Sequence, residues 1–202
     1  MFKLMSALPL CAALALAAPV AFAQETTTAE TDAPAEPTVD DLLSIADDTE
    51  SEVGKPYTKE VIGGWEMRCI KNPDAEDPCQ MYQLLSDDEG VPVAEISIFR
   101  LPEGSRAIAG ATVIVPLETA LAKQLTIIID GAKARRYPFA FCNPVGCYVR
   151  MGLTAEDVAA FKRGNGAIMS IVPALAPDQT VELKLSLDGF TAGYDKVSTI
   201  VQ

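Results

Sequence analysis

The amino-acid sequence predicts a mainly β protein: a disulfide-stapled β-sandwich with one short helix, working outside the cytoplasm. Three observations predict it. From about Val61 onward, short runs alternate apolar and polar residues and are split by Gly, Pro and Asn, the period-two signature of strands with one buried face. Many such runs at close spacing suit a sandwich. Four cysteines follow a leader-like N-terminus, and an even number in an exported chain reads as two disulfides.

The leader is residues 1–23, MFKLMSALPLCAALALAAPVAFA. Lys3 supplies the positive start, Leu4 to Ala18 the apolar stretch, and Pro19 breaks the helix. Ala21-Phe22-Ala23 then places small residues where a signal peptidase accepts them, so cleavage is expected after Ala23. No other apolar stretch has the length of a membrane span, so no transmembrane segment is expected after cleavage. Residues 24–58 follow as an acidic linker rich in Glu, Asp, Thr, Ala and Pro, a composition with too little apolar area to offset ordering entropy. Within it, Val39, Leu42, Leu43 and Ile45 are spaced for an apolar stripe on two helical turns. They read either as transient helix in a solvated tail or as a docking motif.

The domain is expected over residues 59–202, with about nine strands. Trp65–Cys69 and Cys79–Leu85 alternate in period two. Val91 to Phe99 is expected to turn Val91, Val93, Ile96 and Ile98 inward across a register change near Ala94. Ala111–Val115 stops at Pro116, and Leu125–Ile129 ends in the turn signal Asp130-Gly131. Arg135 to Cys142 and Gly146 to Met151 flank the next turn, and Ile168–Val172 follows. The cleanest alternation is Val181, Leu183, Leu185 and Leu187, which share one face. The helix is Thr154 to Gly164: Thr154 is the N-cap, Asp157 stands at the capping-box position, and Gly164 suits a left-handed C-terminal residue. Leu117 to Lys123 is a weaker helical piece.

Apart from Cys11 in the leader, the cysteines are Cys69, Cys79, Cys142 and Cys147. Three pairings are open, and the turns favour Cys69–Cys79 and Cys142–Cys147. Each pair flanks a polar connection rich in Pro and Asn, and antiparallel strands leaving such a turn bring their ends within bridging distance. Zinc ligation and thiol–disulfide catalysis fit less well. The intervening nine and four residues match neither paired zinc ligands nor a C-x-x-C helix start.

Charge narrows function further. The net charge is −12, yet residues 61–202 hold 17 acids against 13 bases, while residues 25–52 hold ten acids and no base. A near-neutral domain lacks the cationic footprint of a nucleic-acid binder. The chain has no histidine, which removes Ser-His-Asp, Cys-His and His-based metal sites. No catalytic, cofactor-binding or metal-binding set is expected. Asp87, Asp88 and Glu89 could form a carboxylate pair of the hydrolase type, but beside Gly90 they read as a solvated turn.

An ordered set of residues resembles a known family. Trp65 with Cys69, then Cys79 with Met81 and Gln83, then Pro138, Phe139, Cys142, Gly146 and Cys147, then Ser186, Leu187, Gly189 and Phe190 are similar to the pattern of the invasion-associated locus B family of exported bacterial proteins. The resemblance covers about residues 58 to 195. It implies an immunoglobulin-like β-sandwich in the periplasm, at the outer membrane or secreted from a Gram-negative bacterium, with a link to host-cell invasion for some relatives; it does not imply an enzyme, and none is expected. The expected function is therefore protein binding, with a host-surface or envelope protein as partner. The alternative is a structural or chaperone-like periplasmic protein. Sandwiches bind through end loops and exposed edges, and Arg135, Arg136 and Tyr137 form the basic-aromatic candidate contact.

Overall fold

A computed structural model describes residues 53–200. The leader (1–23), most of the linker (24–58) and its apolar island lie outside the described residues.

Among the described residues eleven strands form two sheets. In chain order they are β1 (Pro56–Ile62), β2 (Trp65–Ile70), β3 (Cys79–Ser86), β4 (Pro92–Arg100), β5 (Ala109–Val115), β6 (Leu125–Ile129), β7 (Arg135–Tyr137), β8 (Phe139–Asn143), β9 (Gly146–Leu153), β10 (Gly166–Ile171) and β11 (Val181–Ser186). The larger sheet has the order β1-β2-β3-β4-β5-β9-β8, the smaller β11-β10-β6-β7. All pairings are antiparallel. The inner faces meet through Met67, Met81, Ile96, Ile98, Val113 and Val149 on one side and Leu125, Ile127, Met169, Leu183 and Leu185 on the other, all buried. This is the two-sheet sandwich that the alternation and the resemblance imply.

Among the described residues two α-helices complete it, α1 (Ala155–Arg163) and α2 (Phe190–Lys196). In α1 the capping box is present: the Asp157 amide donates to the Thr154 hydroxyl, and the Thr154 amide donates to the Asp157 carboxylate. Val158 and Phe161 face inward. Phe161 stacks on Phe190, which packs on Tyr194 and edge-on against Trp65. One aromatic cluster thus joins both helices to the larger sheet.

Several local expectations differ from the structure. In Val91–Phe99 the register change near Ala94 is present: Leu85 pairs with Ala94 and Ser86 with Pro92, which leaves Val93 with no residue opposite it. Ala94, Ile96 and Ile98 point inward as the buried set, while Val93 is only partly buried and Val91 is exposed. Arg135 to Cys142 is two strands in different sheets. Pro138, which has no amide hydrogen to continue a ladder, separates β7 from β8. Gly164 has φ −70°, so it is not left-handed. A Cβ there would lie 2.6 Å from Leu187 and 2.8 Å from Ile129 side-chain atoms, so close packing requires the glycine. Leu117 to Lys123 contains only a 3-10 turn at Leu121–Lys123. The first strand begins at Pro56, before the expected domain start, because Pro56, Tyr57 and Thr58 pair with Ile70, Cys69 and Arg68.

Candidate functional site

The residues that carried the resemblance are mostly buried. Gln83, 7% exposed, reaches from the larger sheet to the smaller one. Its Nε2 donates to the Gly64 carbonyl at 2.9 Å and the Ser186 carbonyl at 3.2 Å, and its Oε1 accepts the Ser186 amide at 2.8 Å. A side-chain amide thereby stands in for a strand partner at the end of β11. Trp65, Met81 and Phe190 are buried as well. Gly189 (φ 77°) lies where a Cβ would meet the Ile62 carbonyl at 2.2 Å. These residues lock the sheets together and leave the chemistry to other surfaces.

Both cysteine pairs are bridged. Cys69 and Cys79 stand opposite each other on β2 and β3, Cys142 and Cys147 on β8 and β9, with Cα atoms 4.0 Å apart in each pair. The first bridge is buried, whereas Cys142 is exposed. The connection beside the first bridge is held by Asp77, which accepts the Tyr57 hydroxyl at 2.6 Å and the Asn72 amide at 2.7 Å. These bonds lower the Asp77 pKa and, reciprocally, the bond to Asp77 raises that of Tyr57. The turn of the second is held by Asn143, whose Oδ1 accepts the Val145 amide at 2.9 Å.

The sequence-derived contact cluster is divided. Arg135 is ion-paired with Asp157, the capping-box residue of α1. Tyr137 packs against the core, and burial pushes its hydroxyl pKa up. Arg136 alone of the three is exposed. The acidic triplet is a turn: the Asp87 carboxylate accepts the Glu89 and Val91 amides, and Asp88 pairs with Lys184. Among the described residues no group of three His, Cys, Asp or Glu side chains is arranged to hold a metal ion.

The outer face of the larger sheet gathers a different set. Register aligns Leu84, Glu95, Ile114, Tyr148 and Phe141 in one row across five strands, with Glu66, Tyr82, Ser97, Thr112 and Arg150 in the next. At the β2–β4 end the polar groups satisfy one another. Arg68 pairs with Glu66 at 2.9 Å and lies 3.2 Å above the Tyr82 ring, and the Tyr82 hydroxyl donates to Glu95 at 2.8 Å. Burial first, then that bond to Glu95, raises the Tyr82 pKa.

The β8–β9 end is open. Phe141 and Tyr148 stack with centroids 4.6 Å apart, and the Arg150 guanidinium sits 5.1 Å from the Phe141 centroid. Asn143 Nδ2 donates to the Tyr148 hydroxyl at 3.3 Å. Phe141 is 41% exposed and the neighbouring Val145 73%. Arg150 has no carboxylate partner among the described residues. Aromatic rings beside an unpaired Arg make the composition of a protein-binding hot spot. Sequence reasoning missed this set, although pairing Cys142 with Cys147 across a tight turn already places Phe141 beside Tyr148.

Comparison with known proteins gives a consistent result. The family model described as Invasion associated locus B (IalB) protein matches residues 65–198. Invasion protein B homologues from two Brucella abortus strains are each 29% identical over 153 residues, covering 74% of this chain and 84% of theirs. The crystal structure of invasion associated protein B from Bartonella henselae superposes with a TM-score of 0.54 at 22% identity, covering 66% of this chain and 89% of that one.

Proposed function

The chain belongs to the invasion associated locus B family, and on that footing we propose that it is an exported, non-enzymatic protein of the bacterial envelope or surface that binds another protein. The binding surface is the Phe141–Tyr148–Arg150 patch. The observation that carries this reading is the exposed, stacked aromatic pair beside a guanidinium with no carboxylate partner among the described residues, at the end of a disulfide-clasped hairpin. Such a patch is preorganised, so little side-chain entropy is lost on binding. Export is supported by the pattern of residues 1–23 and by two disulfides, which persist in oxidising compartments. Among the described residues no helix is long and apolar enough to cross a membrane. The relatives are named for invasion; a part in host contact follows for this chain if the partner lies on a host surface.

The test is photo-crosslinking in intact cells, with benzoylphenylalanine at Tyr148 and, as control, at Lys184 on the smaller sheet. A discrete protein adduct is expected from position 148 and none from 184. Adding Phe141→Ala with Arg150→Glu should cut the adduct at least tenfold without lowering Tm. Equal adducts from both positions, or an adduct that survives the double variant, overturns the assignment. N-terminal sequencing of the exported protein should begin at Gln24; a retained Met1 overturns the processing.

A further inference from the structure

At the β2–β4 end of the larger sheet lies a cavity of about 510 Å³ that shares no lining residue with the Phe141–Tyr148–Arg150 patch. Cavities of this size take small ligands. Arg68, Gln80, Tyr82, Glu95 and Ser97 line it from three adjacent strands, and Thr199 and Ile200 from the segment after α2. That segment is fixed to the sheet. The Ser198 hydroxyl accepts the Cys79 amide at 2.9 Å, the Ser198 amide donates to the Cys79 carbonyl at 3.0 Å, and the Ile200 amide donates to the Arg100 carbonyl at 3.0 Å. Both residues of the buried Cys69–Cys79 bridge also belong to the wall.

The lining chemistry specifies the ligand. Each formal charge in it already has a partner: Arg68 pairs with Glu66 and lies over the Tyr82 ring, and Glu95 accepts the Tyr82 hydroxyl. The groups left over are neutral. Among the described residues the side chains of Gln80, Ser97 and Thr199 make no hydrogen bond. An amide presents a donor and an acceptor side by side, and a hydroxyl serves as either. Pro56, Ile70, Pro78 and Ile200 add an apolar surface, with Ile70 45% exposed. We propose that this cavity binds a neutral saccharide, whose hydroxyls meet Gln80, Ser97 and Thr199 and whose C–H face lies on the prolines and isoleucines.

Other ligand classes fit less well. An anion would meet the Glu95 carboxylate, and a cation the Arg68 guanidinium. A flat aromatic ligand needs an open ring to stack on, and Arg68 covers the Tyr82 ring at 3.2 Å. An extended peptide needs unpaired strand backbone, whereas β2, β3 and β4 each have a strand on both sides. A saccharide needs none of these: it brings many uncharged hydrogen-bonding groups and an apolar face. The site is separate from the proposed protein-binding patch and does not rest on it.

The probe is an array of neutral, sialylated and sulfated oligosaccharides exposed to the oxidised full chain, followed by ¹H–¹⁵N NMR titration with a neutral oligosaccharide that is retained. Neutral oligosaccharides should bind, with no gain from added sialic acid or sulfate. The titration should shift the Gln80 side-chain amide and the Thr199 backbone amide while leaving the Phe141 and Tyr148 amides in place. Gln80→Ala with Thr199→Ala should weaken binding about tenfold or more by removing two hydrogen-bonding partners. Ser97 lies on the outward side of β4, between buried Ile96 and Ile98, so Ser97→Tyr should fill the cavity and abolish binding without lowering Tm. Absence of neutral oligosaccharides among those retained, a preference for the anionic ones, shifts confined to residues outside the cavity, or affinity unchanged in both variants each overturns the assignment. The NMR map needs no substitution, so it decides even where a variant folds poorly.

Discussion

Replacing Gln83 tests how the two sheets are held together. The wild-type amide makes three hydrogen bonds, at 2.9, 3.2 and 2.8 Å, to Gly64 and Ser186. Each contributes about 0.5–1.5 kcal/mol net, and a buried donor left alone costs more. Gly64 is exposed, so water can satisfy its carbonyl, whereas the Ser186 amide is partly buried. Gln83→Ala should therefore destabilise the domain by about 3 kcal/mol. For a domain of this size that lowers Tm by about 6–12 °C. Gln83→Leu restores most of the volume without the hydrogen bonds and should still lose about 2 kcal/mol. Thermal unfolding of the oxidised protein by circular dichroism reads both. A Leu variant as stable as wild type refutes the reasoning, since packing alone would then hold the joint.

Three further outcomes follow from local geometry. Asp130 (φ 45°) accepts the Asn165 and Gly166 amides at 3.0–3.1 Å, and these bonds hold its pKa below the ordinary carboxylate range. Its folded pKa is depressed, so its contribution is full above about pH 4 and is lost as pH falls through the folded value. Asp130→Asn, which tolerates the left-handed backbone, should flatten that acid limb in chemical denaturation at pH 2–5; an unchanged limb contradicts it. Mild thiol reductant should open Cys142–Cys147 before the buried Cys69–Cys79, read by alkylation and mass spectrometry, and removing the former with paired Ser substitutions should cost about 2 kcal/mol. Simultaneous opening contradicts the exposure argument. Thr154→Ala should cost about 1 kcal/mol by removing half the capping box, and a Tm within error of wild type would show the box to be idle.

Which parts of the fold were legible follows from what each signal measures. β11 was readable because Val181, Leu183 and Leu185 alternate with polar residues and one face is buried. α1 was readable because its cap is chemical and local. β1 was not: Pro-Tyr-Thr-Lys-Glu-Val-Ile is an edge strand held by β2, with no apolar alternation to announce it. α2 was also missed. It starts after a left-handed Gly189, has no side-chain cap, and contains Gly193, where a Cβ would stand 3.0 Å from the Met81 Cε. The split at Pro138 is tertiary, since only the presence of two sheets makes β7 and β8 leave each other.

The candidate site shows the same division. Arg135, Arg136 and Tyr137 are adjacent in sequence, but alternation and the Asp157 partner send them to different duties. Phe141, Tyr148 and Arg150 are separated in sequence and meet through hairpin register. The motif residues are scaffold: Gln83, Ser186 and Phe190 belong to the joint between sheets, and Cys142, Gly146 and Cys147 to the β8–β9 hairpin. Under the proposed binding function, partner choice falls to the exposed rim.

The most direct test separates that joint from that rim in one experiment. Tm and the in-cell photo-adduct at Tyr148 are measured side by side for Gln83→Ala and for Phe141→Ala with Arg150→Glu. A binding patch on a rigid scaffold predicts that the first variant melts lower yet still forms the adduct at a temperature where it is folded, while the second keeps its Tm and forms none. An adduct undiminished in the second variant would contradict it.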